Sequence, residues 1–282
     1  MAYQFDITGL EFRLIRDYVY NRYGIYIKDD RVSFIKMKLY PRLLSLGMTS
    51  FGDYFHYIKY EDSHDEEKAR MIALLANNET YFLREHAQLE VLRDQILPKI
   101  REDNIAANDK SLSILSAGCS TGEEVYSLAL LTLETGMFLW DWDVNIIGGD
   151  ISRPALQKAR GALYGERSLR TSDPERVKSC FLKESGMYKV KNHVRKLTKF
   201  VRLNLIDPDS WRGLGKFDVV LCRNVLIYFS NDTFKRAIDN IHHCLRGGGY
   251  LLLGHSETLT RVSDDFVPER YSKTVVYRKK GE

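Results

Sequence analysis

Between residues 112 and 131 the chain reads LSILSAGCSTGEEVYSLALL: an apolar run, a loop holding Gly118 and Gly122, then a helix start marked by Glu123 and Glu124. A strand that passes through a glycine loop into a helix brings backbone within reach of a nucleotide-like ligand. The spacing is G-x-x-x-G rather than G-x-G-x-x-G, and two acids follow it. A phosphate is repelled there, whereas a ligand with a cationic amino-acid end is attracted. The chemistry of the loop therefore points to S-adenosylmethionine more than to NAD.

Three further segments carry polar groups where strands should end. The first ends in Asp150, placed to accept hydrogen bonds from ribose hydroxyls. The second is Asn204-Leu205-Ile206-Asp207, an amide and apolar side chains suited to an adenine ring. The third, at 221–229, reads LCRNVLIYF and brings Arg223, Asn224 and Tyr228. A lone acid at a strand end serves as a structural cap about as often as a ligand contact; four such tips in sequence order are a stronger signal. A fifth segment, NNETYFLR at 77–84, is rich in hydrogen-bonding side chains and stands where the helical part of the chain gives way to the alternating part. It reads either as a helix end and linker, or as a flap whose Asn78, Thr80 and Arg84 fold over the cofactor.

The elements that must position these groups fall into two sets. Residues 1–76 read as helical. Thr8-x-x-Glu11 is a capping box and Gly24 a stop. Asp30 is expected to cap a second helix, with Val32, Ile35, Leu39 and Leu43 on one face, Arg31, Lys38 and Arg42 on the next, and a kink at Pro41. Ser50-x-x-Asp53 and Ser63-x-x-Glu66 open two more. From Ser111 onward, strands at 112–117, 144–148, 200–204, 217–222, 250–253 and 274–278 alternate with helices near 123–134, 153–161 and 232–245. Such alternation predicts a mostly parallel sheet covered on both faces. After a Gly247-Gly248-Gly249 turn the final two strands have no crossover helix, so an antiparallel hairpin is expected. Short β-like runs at 180–183, 188–191 and 196–202, with Ser185-Gly186 as a turn, predict a small β appendage.

The chain has 282 residues, 44% hydrophobic and 28% charged, as a soluble globular protein should. Its net charge of +4 hides a block at 153–202 carrying +10, which leaves −6 for the rest. Such a block is either a solvated face or a docking surface for an acidic partner. The cysteines, Cys119, Cys180, Cys222 and Cys244, show no C-x-x-C pairing, and reduced thiols are expected; Cys119 and Cys222 fall at the ends of neighbouring strands. His242-His243-Cys244 resembles a metal cluster without a fourth ligand, so packing is the simpler reading and no metal is assigned. No apolar run approaches the roughly 20 residues of a membrane span, and no signal peptide is evident. A cytoplasmic monomer without membrane insertion is expected.

The segments N-E-T-x-F-x-R at 78–84, S-x-x-x-S-T-G-E-E-x-Y-S-L-A from Ser116, and C-R-N-V-L-I-Y-F at 222–229 together resemble the signatures of the CheR family, the chemoreceptor glutamate methyltransferases of bacterial chemotaxis. The resemblance covers nearly the whole chain. It implies an N-terminal all-helical domain at 1–76, then a Rossmann-like S-adenosylmethionine-dependent methyltransferase domain at 77–282 with a β-subdomain inserted at about 178–200. It implies a cofactor site of Asn78, Thr80, Arg84, Gly118, Glu124, Asp150, Asn204, Leu205, Arg223 and Asn224, with Arg84 and Tyr228 nearest the reacting carboxylate. The product would be S-adenosyl-L-homocysteine. The implied partners are the cytoplasmic methylation helices of chemoreceptors, met by Arg31, Lys38 and Arg42 and by the basic β-subdomain. In some members that subdomain tethers a receptor C-terminal peptide through a glycine-bearing loop; here the loop at 183–187 has one glycine, and absence of the tether is expected. Two other classes remain open: a non-catalytic adapter that reports on bound cofactor, and a nucleic-acid methyltransferase suggested by the +10 block. Against the latter, the fourth strand tip reads C-R-N-V rather than an N/D-P-P-Y/F run, and no nucleic-acid partner is expected.

Overall fold

The computed structural model describes residues 5–62, 65–76, 79–170, 173–260, 262–271 and 274–281. Local signals set the first helices. The Thr8 side chain accepts from the Glu11 amide and Glu11 reaches back, which opens α1 (Gly9–Tyr23); Gly24, at φ +78°, closes it. Asp30 does not cap the next helix. It lies in a 3-10 turn, Asp29–Arg31, and α2 (Val32–Ser45) begins without a side-chain cap. Nor does Pro41 end α2, which continues past it on the exposed side. Ser50 caps α3 (Phe51–His56) by accepting from Asp53 N. Ser63 lies outside the described residues; α4 (Glu66–Leu75) starts instead under Asp62, whose carboxylate accepts from the Glu66 and Lys68 amides. These four helices share a core built on Phe12, Ile15, Ile35, Leu39, Tyr54 and Ile72.

A helical stretch absent from the sequence reading follows: α5 (His86–Val91), a π-helical turn, and α6 (Leu97–Ala106). The alternating part then runs β1 (Ser111–Ala117), α7 (Glu123–Glu134), β2 (Asp143–Asp150), α8 (Arg153–Gly161), β3 (Leu163–Tyr164), α9 (Pro174–Lys178), β4 (Phe181–Glu184), β5 (Met187–Val190), α10 (Asn192–Arg195), β6 (Thr198–Arg202), β7 (Phe217–Cys222), α11 (Asn231–Cys244), β8 (Leu245–Leu253), β9 (Phe266–Tyr271) and β10 (Thr274–Lys279). The main sheet has the order β6-β2-β1-β7-β8-β10-β9. Its first five strands are parallel, and β10 lies antiparallel to both neighbours. Alternate side chains of β1 and β7 feed two cores: Leu112, Ile114, Val219 and Leu221 one, Leu115, Ala117, Val220 and Cys222 the other. Cys119 belongs to the first and Cys222 to the second, so the two thiols do not share a core.

Three strand readings change. The run at 196–202 is not part of the appendage: Thr198–Arg202 pairs with β2 as the edge of the main sheet. The appendage takes its third strand from Leu163–Tyr164, giving β3-β5-β4, with Ser185 and Gly186 both at positive φ in the β4–β5 turn. The closing hairpin is β9–β10, and the Gly247–Gly249 stretch lies inside β8, where the register to β7 shifts.

The basic block is partly neutralised. Arg170 pairs with Glu79 (2.5 Å), Lys178 with Glu175 (2.9 Å), Lys189 with Glu184 (3.6 Å), Arg202 with Asp65 (3.4 Å), and Arg176 with Glu134. On α2, Arg42 is committed to the buried Glu67, so the expected stripe of three free cations is reduced to Arg31 and Lys38. His243 hydrogen-bonds the Asp239 carbonyl and His242 sits edge-on to Phe266, the packing role the sequence favoured. Among the described residues no helix is long and apolar enough to cross a membrane.

Candidate functional site

The strand order reverses between β1 and β7, and the loops that leave their carboxyl ends diverge there to open a cleft. Its walls include Thr80, Arg84, Gly118, Glu124, Asp150, Asn204, Leu205, Arg223, Asn224 and Tyr228. Asn78 lies outside the described residues; the ten residues just named meet at this one cleft, whereas Ile206 and Asp207, also read as adenine-side residues, line a separate hollow with Tyr18 and Arg22.

The glycine loop needs its glycines. Gly118, at φ +86°, donates to the Gly149 carbonyl (2.7 Å), and a Cβ on it would stand 2.4 Å from Val225 Cγ2. The loop is pinned by Asp150, whose carboxylate accepts from Ser120 N (2.7 Å) and Ser152 N (2.8 Å). Burial raises the Asp150 pKa, and these amide bonds oppose the rise. Both oxygens thus already hold backbone. Each retains a lone pair for a ligand hydroxyl.

Glu124 accepts from Ser116 Oγ (2.7 Å) and Arg223 Nε (2.7 Å). Arg223 is almost wholly buried and continues to Gln88 Oε1 (3.2 Å) and the Arg84 carbonyl (2.8 Å). Glu85 stands 3.7 Å from Arg223 and accepts from Asn224 Nδ2 (3.1 Å), with His255 at 3.0 Å. Burial pushes the Glu85 carboxyl up, but His255, Arg223 and Asn224 together draw it below the usual value. Arg84 donates to the Glu79 carbonyl (2.8 Å) and lies 5.9 Å from the Tyr81 ring centre.

The helical part closes the cleft. Ile25 bridges to Phe229, and Tyr26 N donates to the Tyr228 carbonyl (2.7 Å). Asn204 spends its amide on the Arg22 carbonyl (2.8 Å), which fixes the end of α1 rather than leaving that donor for a base; Leu203 and Leu205 supply the apolar wall. The sequence reading missed Tyr23, Ile25 and Leu203, which line the cleft, and Glu85 and Glu257, which brace it. Periodicity assigns the first three to cores. Acids in loops carry no local signal.

An acidic loop end, a glycine cradle, a carboxylate closing a strand and an apolar wall fit a ligand with a cationic amino-acid end, a ribose and a flat ring.

Comparison with known proteins agrees. Residues 10–76 match the CheR methyltransferase all-alpha domain, and residues 78–275 match the CheR methyltransferase SAM binding domain. The chain is 35% identical over 274 residues to chemotaxis protein methyltransferase 2 of Vibrio cholerae, covering 97% of this chain and 94% of that protein. It is 33% identical over 281 residues to the chemotaxis protein methyltransferase of Vibrio anguillarum, covering 97% and 98%. To chemotaxis protein methyltransferase 1 of Pseudomonas aeruginosa it is 32% identical over 278 residues, covering 97% and 99%.

Proposed function

The chain belongs to the CheR methyltransferase family, with S-adenosylmethionine as cofactor, and on that premise we propose that it forms methyl esters on glutamate side chains of chemoreceptors. The observation that carries this reading is the meeting of Arg84, from the linker, and Tyr228, from the turn after β7, at the same cleft as the glycine loop and Asp150. In this reading a helical domain at 1–76 precedes a methyltransferase domain at 77–282 that carries the inserted β-subdomain.

Bound there, S-adenosylmethionine supplies a methyl group on a positively charged sulfur. Thr80, Gly118, Glu124, Asp150, Asn204, Leu205, Arg223 and Asn224 would hold it, with Asn78 assigned by motif alone. The acceptor glutamate, with a pKa near ~4.3, is already ionised at neutral pH, so no general base is required. Arg84 holds one carboxylate oxygen and the Tyr228 hydroxyl orients the other. Tyr23 and Ile25 of the helical part and Thr80 of the linker line the cleft, and scarce water beside them favours the loss of charge as the carboxylate takes the methyl group from the sulfonium. Alignment does most of the remaining work; positioning can contribute about 7–11 kcal/mol. Arg31, in the turn that leads into α2, and Lys38 on α2 offer the acidic receptor surface two cations.

The test is a methylation assay with labelled cofactor and receptor fragments. Base-labile methyl esters are expected, with Arg84→Ala and Tyr228→Phe lowering turnover on the order of 10- to 100-fold while S-adenosylhomocysteine affinity changes little. Base-stable methylation, or full turnover in both variants, would sink the reading.

A further inference from the structure

Asn224 and Tyr228 reach the cleft from a turn, and a turn is mobile unless something holds it. Here the holder is one carboxylate from a different loop. Glu257, between β8 and β9, is buried. Its Oε1 accepts from Val225 N (2.9 Å), Leu226 N (2.7 Å) and Ile227 N (3.2 Å). Its Oε2 accepts from Asn224 N (2.9 Å) and Gly254 N (2.8 Å). Four successive amides of the turn thus converge on a single anion, in the manner of a backbone nest. Amide bonds to a carboxylate are charge-assisted and stronger than neutral ones.

Two observations show how tightly this contact is built. Asn224 sits at φ +60°, a left-handed conformation that asparagine accepts more readily than other side chains do, which suits it to the sharp turn. Glu257 grips its amide and Glu85 its side chain. Gly254 permits the approach: a Cβ there would stand 2.8 Å from Asn224 N, Asn224 Nδ2 and Glu257 Oε2 alike. Yet Glu257 itself is not among the cleft walls.

We propose that Glu257 is a positioning residue for methyl transfer: its carboxylate sets the 224–228 turn so that Asn224 and Tyr228 face the reacting end, without touching either reactant. The proposal rests on the methyltransferase reading of the cleft. The strand tip brings Tyr228 close, and Glu257 fixes the last stretch of backbone. A glutamine has the same length but presents an NH₂ group to some of these amides, donor against donor.

The experiment compares the full-length protein with Glu257→Gln and Gly254→Ala. The readouts are kcat and KM on a receptor fragment, S-adenosylhomocysteine affinity by calorimetry, melting temperature, and hydrogen exchange of the 224–227 amides. Both variants should lose kcat on the order of 10- to 100-fold, with KM within about threefold and a clearly smaller loss of cofactor-product affinity, since Asn224 is one of several residues at the cofactor. Their 224–227 amides should exchange faster, and the melting temperature should fall by several degrees, because buried amides lose their partner. Wild-type kcat and exchange in Glu257→Gln would overturn the proposal. So would a kcat loss matched by an equal fold-loss of S-adenosylhomocysteine affinity, with exchange quickened throughout the chain rather than at 224–227, which marks a scaffold role. If the wild-type protein binds S-adenosylhomocysteine but esterifies no receptor, the functional reading fails instead, and hydrogen exchange still reports whether Glu257 holds the turn.

Discussion

Arg42 separates a docking surface from a structural one. Its Nε donates to both Glu67 oxygens (2.9 and 3.1 Å), its Nη2 to Glu67 Oε2 (2.5 Å) and its Nη1 to Ser45 Oγ (3.1 Å). Glu67 is 3% exposed and also accepts from the Tyr54 hydroxyl (3.0 Å). Burial, reinforced by that carboxylate, raises the Tyr54 pKa far above its ordinary value. In Arg42→Ala the Glu67 carboxylate keeps only the Tyr54 hydroxyl as partner. Breaking a buried pair costs about 3–5 kcal/mol. Arg42 is 24% exposed at its side chain, so water screens part of the interaction and about 3 kcal/mol is the better figure. At about 2–4 °C per kcal/mol, the melting temperature should fall by about 6–12 °C. Arg31→Ala, at an exposed position with no described ion pair, should melt within about 2 °C of wild type. Replacing both partners by apolar residues, Arg42→Met with Glu67→Leu, should recover most of the loss, because no charge is then left buried. Differential scanning calorimetry at neutral pH and fixed salt reads all three. If Arg42→Ala melts like Arg31→Ala, or the double variant is worse than the single, the pair does not hold α2 to α4 as argued.

Two further outcomes follow from the geometry of the cleft. Gly118→Ala combines left-handed strain of about 1–2 kcal/mol with a methyl forced against Val225 at a cost of about 1–3 kcal/mol. It should weaken S-adenosylhomocysteine binding roughly 10- to 100-fold by calorimetry, and unchanged affinity would show that the loop tolerates the side chain. Glu123→Gln concerns pH. The Glu123 carboxyl is buried, accepts from Thr121 Oγ1 (2.6 Å) and Ser168 Oγ (2.9 Å), and has its pKa raised above 4.5, by burial first. A raised carboxyl holds its proton more tightly folded than unfolded, so its stabilising contribution is full below about 4.5 and drains away as pH rises through the folded pKa. The variant should therefore gain on wild type as pH rises from about 4 towards 7, read from denaturant midpoints; parallel curves would refute the shift.

What was legible in the sequence was what is local. The Thr8 box, the Ser50 cap, α7, α8 and β7 rest on signals within a few residues, and all formed as read. The β9 strand was missed because an edge strand needs neither alternation nor freedom from proline, and it contains Pro268. The α5–α6 stretch has its buried Leu89, Leu92, Ile96 and Ile100 at helical spacing, a signal that was present and went unread. Arg42 was misplaced for a different reason. Its type and face were visible, whereas its partner lies 25 positions further on, and no periodicity reports a pairing at that distance.

The same limit explains the cleft itself. Residue type correctly gathered Glu124, Arg223 and Asn224 to one place, but it assigned them all to ligand, whereas much of their bonding capacity serves the protein. Arg223 reaches Glu124 on α7, and Gln88 on α5 with the Arg84 carbonyl in the adjoining linker, stretches about 100 and about 140 positions away in sequence. That linker carries Leu83 and Glu85 at positive φ, a strained path for non-glycine residues. Leu83 N is tied to Ser127 Oγ and Phe82 N to the Ser168 carbonyl, so the strain is held from several sides. The guanidinium spreads its donors over a rigid planar fork on three nitrogens, whereas a lysine ammonium gathers its three donors on one atom and in this place would drop at least one wall of the site. The walls of the cleft are therefore bonded to one another by the protein's own groups. The charged residues that look like cofactor contacts act first as the bonds between its walls, and the cofactor meets a surface whose alignment those bonds set.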